Sequence, residues 1–137
     1  MNLTKFAKKF EAAVDQAVSD HIQLTQGKLI KFNPKDTGRM ASSWVIGHKV
    51  VNPQTRPKDW APPGAKKVQV DQYPNKITAS GNWYISNSVP YSVKVAYDPR
   101  YAGGPGSVSG PNWYTAIVTQ QQADLQRQLV KQLRTIT

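Results

Sequence analysis

Cysteine is missing from this 137-residue chain, which excludes disulfides, thiolate metal sites and a thiol nucleophile. Long apolar runs are missing too. No stretch approaches the roughly 18 apolar residues that a membrane-spanning helix needs, so no membrane partner is expected. The opening residues, MNLTKFAKKFEAAV, place Lys ahead of an amphipathic pattern rather than the apolar centre of a secretory signal. A soluble protein made in a reducing cytosol is expected. Acids are scarce: eight Asp and Glu stand against 18 Lys and Arg, for a net charge of +10. A field of that sign attracts nucleic acid, anionic lipid or acidic protein surfaces, although solubility alone is the plainer use of surface charge.

The residues that carry hydrolytic or metal chemistry are equally thin. His21 and His48 are far apart in sequence, and neither sits in an HxH or HExxH pattern, so structural or surface roles are expected for both. The acids are scattered, with Asp36, Asp59, Asp71 and Asp98 in expected loops and no pair marked out for glycoside hydrolysis. Gly103, Gly104 and Gly106 are closely spaced but lack the GK[ST] ending of a phosphate loop, and no GxSxG turn occurs. The chain is therefore read as a non-enzyme, with no catalytic residue, metal or cofactor expected.

What is present is a patterned scaffold interrupted by proline and glycine, of which there are ten and nine. The length fits one domain over residues 1–137. The first thirty residues predict a helix capped by Asn2 or Thr4. Phe6, Phe10, Ala13, Ala17 and Leu24 recur at helical steps, widened by Val14, Val18 and Ile22. Asn33 and Pro34 stop it. A strand is expected from Trp44 to Val51 by alternation, a second over residues 76–87, and a third where Val89, Tyr91, Val93, Val95 and Tyr97 alternate. Ser88 ahead of Pro90 offers a short helix as the alternative there. A final helix is expected from Pro111 or Asn112 to Arg134, with Gln120, Gln121, Gln122, Gln126 and Gln128 on its surface.

Two long loops are expected. Residues 52–75 hold half of the prolines, the cations Arg56, Lys58, Lys66 and Lys67, the aromatic Trp60, and a hint of strand at Val68 and Val70. Residues 98–112 are glycine-rich, with Arg100 and Tyr101 as anchors. The fold class is α+β: a small antiparallel sheet packed by a long N-terminal and a C-terminal helix. The basic loop supports an alternative function, a nucleic-acid-binding module in which cations meet phosphates and Trp60 stacks on a base. A solvated loop, or an arm on an acidic neighbour, is the competing use of the same residues. No helix-turn-helix, zinc-finger or RNA-recognition signature accompanies it.

The segment Pro34-Lys35-Asp36-Thr37-Gly38-Arg39-Met40-Ala41-Ser42-Ser43-Trp44 resembles the P-x-DTGR-L-x-x-S-W signature of the HK97 gp10-like family of tailed-phage neck and tail-completion proteins. Ile85-Ser86-Asn87-Ser88-Val89-Pro90-Tyr91-Ser92 resembles the same family's I-x-N-x-x-P-Y-A element. The order of elements agrees, so the resemblance spans most of the chain. Where the family often continues with an acid and a Gly, this chain reads Val95-Ala96-Tyr97-Asp98-Pro99-Arg100, and the 52–75 loop is distinctive.

The resemblance implies a structural virion protein of the neck, at the head–tail junction and made in the host cytoplasm. It implies a homo-oligomer, a hexameric ring, whose partners are head-closure or connector proteins and tail proteins, with contact to packaged DNA as a further option. Asp36, Thr37, Gly38, Arg39, Trp44, Asn87, Pro90 and Tyr91 become its motif or interface residues. Physically, Asp36 can accept amide hydrogens at a turn, Gly38 permits close backbone approach, Arg39 can pair with a carboxylate, Trp44 enters the core, and Asn87, Pro90 and Tyr91 fix a turn. Each of these roles can also serve the fold alone.

Overall fold

The structure, a computed structural model, describes residues 2–34, 38–60, 68–98, 100–101 and 112–136. Its elements are helix α1 (Leu3–Phe32), a 3-10 turn (Ala41–Ser43), strands β1 (Trp44–His48) and β2 (Trp83–Asn87), helices α2 (Ser92–Tyr97), α3 (Trp113–Gln122) and α4 (Asp124–Leu133), and a closing 3-10 turn (Arg134–Ile136). The fold is α+β, with a long N-terminal helix, a two-stranded antiparallel sheet and a C-terminal helical arm.

α1 begins as its sequence dictates. The Asn2 side chain accepts the Lys5 amide at 3.1 Å, satisfying one of the orphan donors of the first turn. It ends where Asn33, held extended ahead of Pro34, returns its amide to the Leu29 carbonyl at 3.1 Å. Its buried face is Ala13, Ala17, Ile22, Gln26, Leu29 and Ile30. The expected stripe is corrected at two places: Leu24 is 41% exposed, and at the start of the helix Phe6 and Phe10 are exposed, with Leu3 beside them. For the start of the helix the reason is length. Thirty residues of helix span roughly 45 Å, whereas the returning α3 and α4, ten residues each, cover roughly 30 Å. Residues 3–12 of α1 are all exposed.

The returning arm is one expected helix that the structure breaks at Ala123 (φ −92°, ψ −10°). Polar side chains bind it antiparallel to α1. Lys28 Nζ donates to Gln121 Oε1 at 2.9 Å, Gln121 Nε2 donates to Thr25 Oγ1 at 2.9 Å, and His21 Nδ1 lies 2.9 Å from Asp124 Oδ2. Gln121, expected on the surface, is buried by this arrangement.

The sheet is smaller than expected. β1 pairs with β2 in the register Trp44↔Asn87, Ile46↔Ile85 and His48↔Trp83. β1 stops at His48 because Lys49 adopts a left-handed φ of 68° and sends its amide to the Asn82 carbonyl at 2.8 Å. The chain then doubles back so closely that a Cβ at Gly47 would collide with the Val50 carbonyl and the Asn52 amide. Residues 76–82 precede β2 without forming a strand, and 68–70 form none either. The expected third strand is helix α2. Its alternation is not a burial pattern: Val95 and Ala96 are buried together, while Val93 is 69% and Tyr97 60% exposed. The turn through Pro90 and Tyr91, closed by the Ser92 amide on the Val89 carbonyl at 2.9 Å, leads into the helix instead.

Two apolar clusters hold these pieces. Leu29, Ile30, Met40, Trp44, Val95, Trp113 and Ile117 form the larger, and Ile22, Ile46 and Ile77 the smaller. Both buried indoles are satisfied: Trp44 Nε1 donates to Asn33 Oδ1 at 2.9 Å and Trp113 Nε1 to the Val95 carbonyl at 3.2 Å.

Candidate functional site

Two distant stretches of sequence meet beside β1. In the first, Gly38 takes φ 88°, a conformation that glycine adopts without steric cost, and its carbonyl accepts the Ser42 amide at 2.9 Å. That turn delivers Arg39 and Met40 into the 3-10 turn, where Ser43 Oγ donates to the Arg39 carbonyl at 2.6 Å. In the second stretch, Asn87 sits opposite Trp44 at the end of the ladder. Its Nδ2 donates to the Met40 carbonyl at 2.7 Å and its Oδ1 accepts the Val89 amide at 3.2 Å. Ser92 Oγ donates to the Asn87 carbonyl at 3.0 Å, closing the turn that carries Pro90 and Tyr91 into α2. The Arg39 guanidinium lies 5.8 Å from the centre of the Tyr91 ring. One asparagine thus ties the two motif segments together through its side chain.

A third stretch is tied to the first. Arg39 Nε donates to the Arg56 carbonyl at 3.0 Å. The Arg56 amide donates to Ser43 Oγ at 2.9 Å, its Nε to the Ser42 carbonyl at 3.1 Å, and its Nη2 pairs with Asp71 at 2.7 Å. Its guanidinium also stands 4.8 Å from the centre of the Trp60 ring. Arg56, expected as part of a basic binding loop, is therefore a clamp that fastens the loop to the 3-10 turn. The Trp60 ring lies beside that clamp.

These three stretches surround an open groove of about 830 Å³. Gly38, Arg39 and Met40 contribute from the first, Pro90, Tyr91, Lys94 and Val95 from the second, and Lys58 from the third. Tyr101, half-buried against the larger core cluster, also lines it. Its neighbour Arg100 binds Asp98 through Nε and Nη2 at 2.6–3.1 Å. The Arg100 side chain, helped by its backbone amide, holds the Asp98 carboxyl down at about 2. Asp36, Thr37, Lys66 and Lys67 lie outside the described residues.

No family model, no curated protein and no solved structure matches this chain. The site is accordingly read from its own chemistry. Among the described residues, no three of His, Cys, Asp or Glu stand close enough to hold a metal ion. His21 serves the α1–α4 contact, and His48 stacks on Trp83 at 4.0 Å with Nε2 2.9 Å from the Ser80 carbonyl. No helix among the described residues is long and apolar enough to cross a membrane.

The sequence reading named most of the groove. It did not mark Met40 and Val95, which floor it, or Lys94, which it placed on a strand. Ser42 and Ser43, part of the first motif segment, are buried and act as the hydrogen-bond hub between the 3-10 turn and the loop. Gln26 stands inside the apolar stripe of α1, and its Nε2 reaches the Trp44 and Asp71 carbonyls at 2.9 and 3.0 Å. A polar residue at a buried helical position was the available signal.

Proposed function

We propose that this chain is a structural protein of a tailed-phage neck, one subunit of a ring that joins head-closure proteins to the tail. The observation that carries the reading is the Asn87 bridge. The two segments that resemble the neck family's signature lie 47 residues apart between Met40 and Asn87, yet a side-chain hydrogen bond of 2.7 Å braces one against the other. Residues that hold one another in place form a unit, and a resemblance to both halves of a unit weighs more than two separate short matches. The surface supports the same reading. The overhanging start of α1 exposes Leu3, Phe6 and Phe10 as an apolar face, and a ring closes through such unlike, head-to-tail contacts.

The alternative, a nucleic-acid-binding module, relied on Arg56, Lys58, Lys66, Lys67 and Trp60. Its support is weaker on this geometry, because Arg56 engages Asp71, the Ser42 carbonyl and Trp60. The test is assembly. Deleting the coding sequence from a phage that carries it is expected to leave filled heads and finished tails that do not join, visible by electron microscopy. A normal yield of infectious particles from that deletion rejects the reading.

A further inference from the structure

We infer that the groove between the Gly38–Met40 turn and α2 is a docking site for an acidic peptide segment of another protein, one that alternates carboxylates with aliphatic side chains. The inference rests on the neck reading for which protein supplies that segment, but not for the chemistry of the groove.

The chemistry is set by floor and rim. Met40 and Val95 are buried at its floor, and Pro90 and the half-exposed Tyr91 add apolar surface above them. A floor of this kind gains by covering with aliphatic side chains, at about 25 cal/mol per Å² removed from water. Every charged side chain among the described lining residues is basic: Arg39, Lys58 and Lys94. Lys58 and Lys94 are exposed and take part in none of the ion pairs among the described residues. Of the acids close by in sequence, Asp59 is not among the described lining residues, Asp36 lies outside the described residues, and Asp98 binds Arg100 while its charge also reaches Lys94. The described rim residues therefore present positive charge around an apolar centre.

The choice of occupant follows. Single-stranded nucleic acid needs open aromatic faces for its bases, and the Tyr91 ring already lies under Arg39. Tyr101, the other aromatic residue of the lining, is half-buried against the larger core cluster, and the rest of the apolar surface is aliphatic, thioether or proline. A second copy of this chain is a poor guest, because it brings 18 basic residues with its eight acids. An acidic segment carrying Leu or Val satisfies rim and floor together. Charge would speed its approach and fix its register, and the apolar contacts would hold it.

The test uses the full-length protein and a fluorescently labelled synthetic peptide alternating Glu with Leu, read by polarisation. Two further probes are a Glu–Ser peptide and oligothymidylate of equal length. Binding of the Glu–Leu peptide is expected to weaken about tenfold or more in the Lys58→Glu, Lys94→Glu double variant. It is expected to change less than about threefold in a Lys8→Glu, Lys9→Glu variant, which alters net charge equally on exposed residues of α1. The Glu–Ser peptide is expected to bind more weakly than Glu–Leu. Circular dichroism of both variants establishes that they fold, as substitutions of exposed lysines should allow. Equal loss in the two variants, or no binding of the Glu–Leu peptide by the parent protein, overturns the inference. Tighter binding of oligothymidylate that the Lys58 and Lys94 changes also abolish would make the groove a nucleic-acid site and overturn it as well. Failure here leaves the particle-assembly experiment untouched, so the two readings fall separately.

Discussion

Asn87 shows how one side chain holds a local architecture. It completes the ladder opposite Trp44, caps the turn into α2 and reaches the Met40 carbonyl. Replacing it with Ala strands a buried carbonyl and a turn amide at once. An Asn87→Ala variant is expected to lose about 1–3 kcal/mol of stability, measured by urea unfolding. Asp98 makes a smaller contribution. Its carboxyl is lowered from the ordinary 3.8 to about 2 by the Arg100 side chain and then by the Arg100 amide. A carboxyl depressed in the folded state supports that state above its unfolded value. The tie between residues 98 and 100 is therefore expected to persist at neutral pH and to be lost only as pH falls from 3.8 through about 2. Carbon-detected NMR titration of the Asp98 carboxyl should follow that midpoint, and Arg100→Ala should return it toward 3.8.

At the scale of elements, burial separates helix surfaces that the sequence makes look alike. Leu3 and Phe6 near the start of α1 and Ile117 in α3 all belong to apolar stripes, but Ile117 is fully buried, whereas Leu3 is 73% exposed. Ile117→Ala is expected to cost about 2–5 kcal/mol, because it removes packing and leaves a cavity. Leu3→Ser together with Phe6→Ser is expected to cost less than about 1 kcal/mol, since water already reaches both residues. Thermal unfolding of the two variants compares them directly. The loop segment at 56–60 is ordered by different forces. Arg56 joins it to Ser42, Ser43, Asp71 and Trp60. In an Arg56→Ala variant, hydrogen exchange is expected to quicken at the Trp60 and Gln69 amides, which bond to the Pro57 carbonyl and to Ser42 Oγ.

For the whole molecule, the excess of ten positive charges creates a field that reaches beyond any single contact. At roughly 0.01 M salt the screening length is about 30 Å, wide enough for the entire surface to draw in an acidic partner. At 0.15 M it shrinks to about 8 Å, and only charges near the groove still act. Association of the Glu–Leu peptide, followed by stopped-flow, is expected to slow as salt rises across that range, with a smaller change in its dissociation rate.

The sequence by itself determined the class of fold, the helix from residue 3 to 32 and its stops, and the turn residues of the groove. These are decided by neighbours along the chain: Asn2 caps locally, Asn33 is restrained by the next proline, and Gly38 answers to its own φ. Tertiary structure decided what depends on a surface arriving from elsewhere. It cut the sheet to two strands, because Lys49 reverses and Gly47 receives the returning chain, and it made residues 92–97 helical although their apolar positions alternate. It left Phe6 and Phe10 uncovered because the returning helices are shorter than α1, and buried Gln26, Gln121 and Asp124 because partners met them. It also made Arg56 a clamp, since Asp71 and the Ser42 carbonyl come within hydrogen-bonding reach only once the chain has folded. Periodicity reports which residues are apolar, whereas burial also requires that another element reach them.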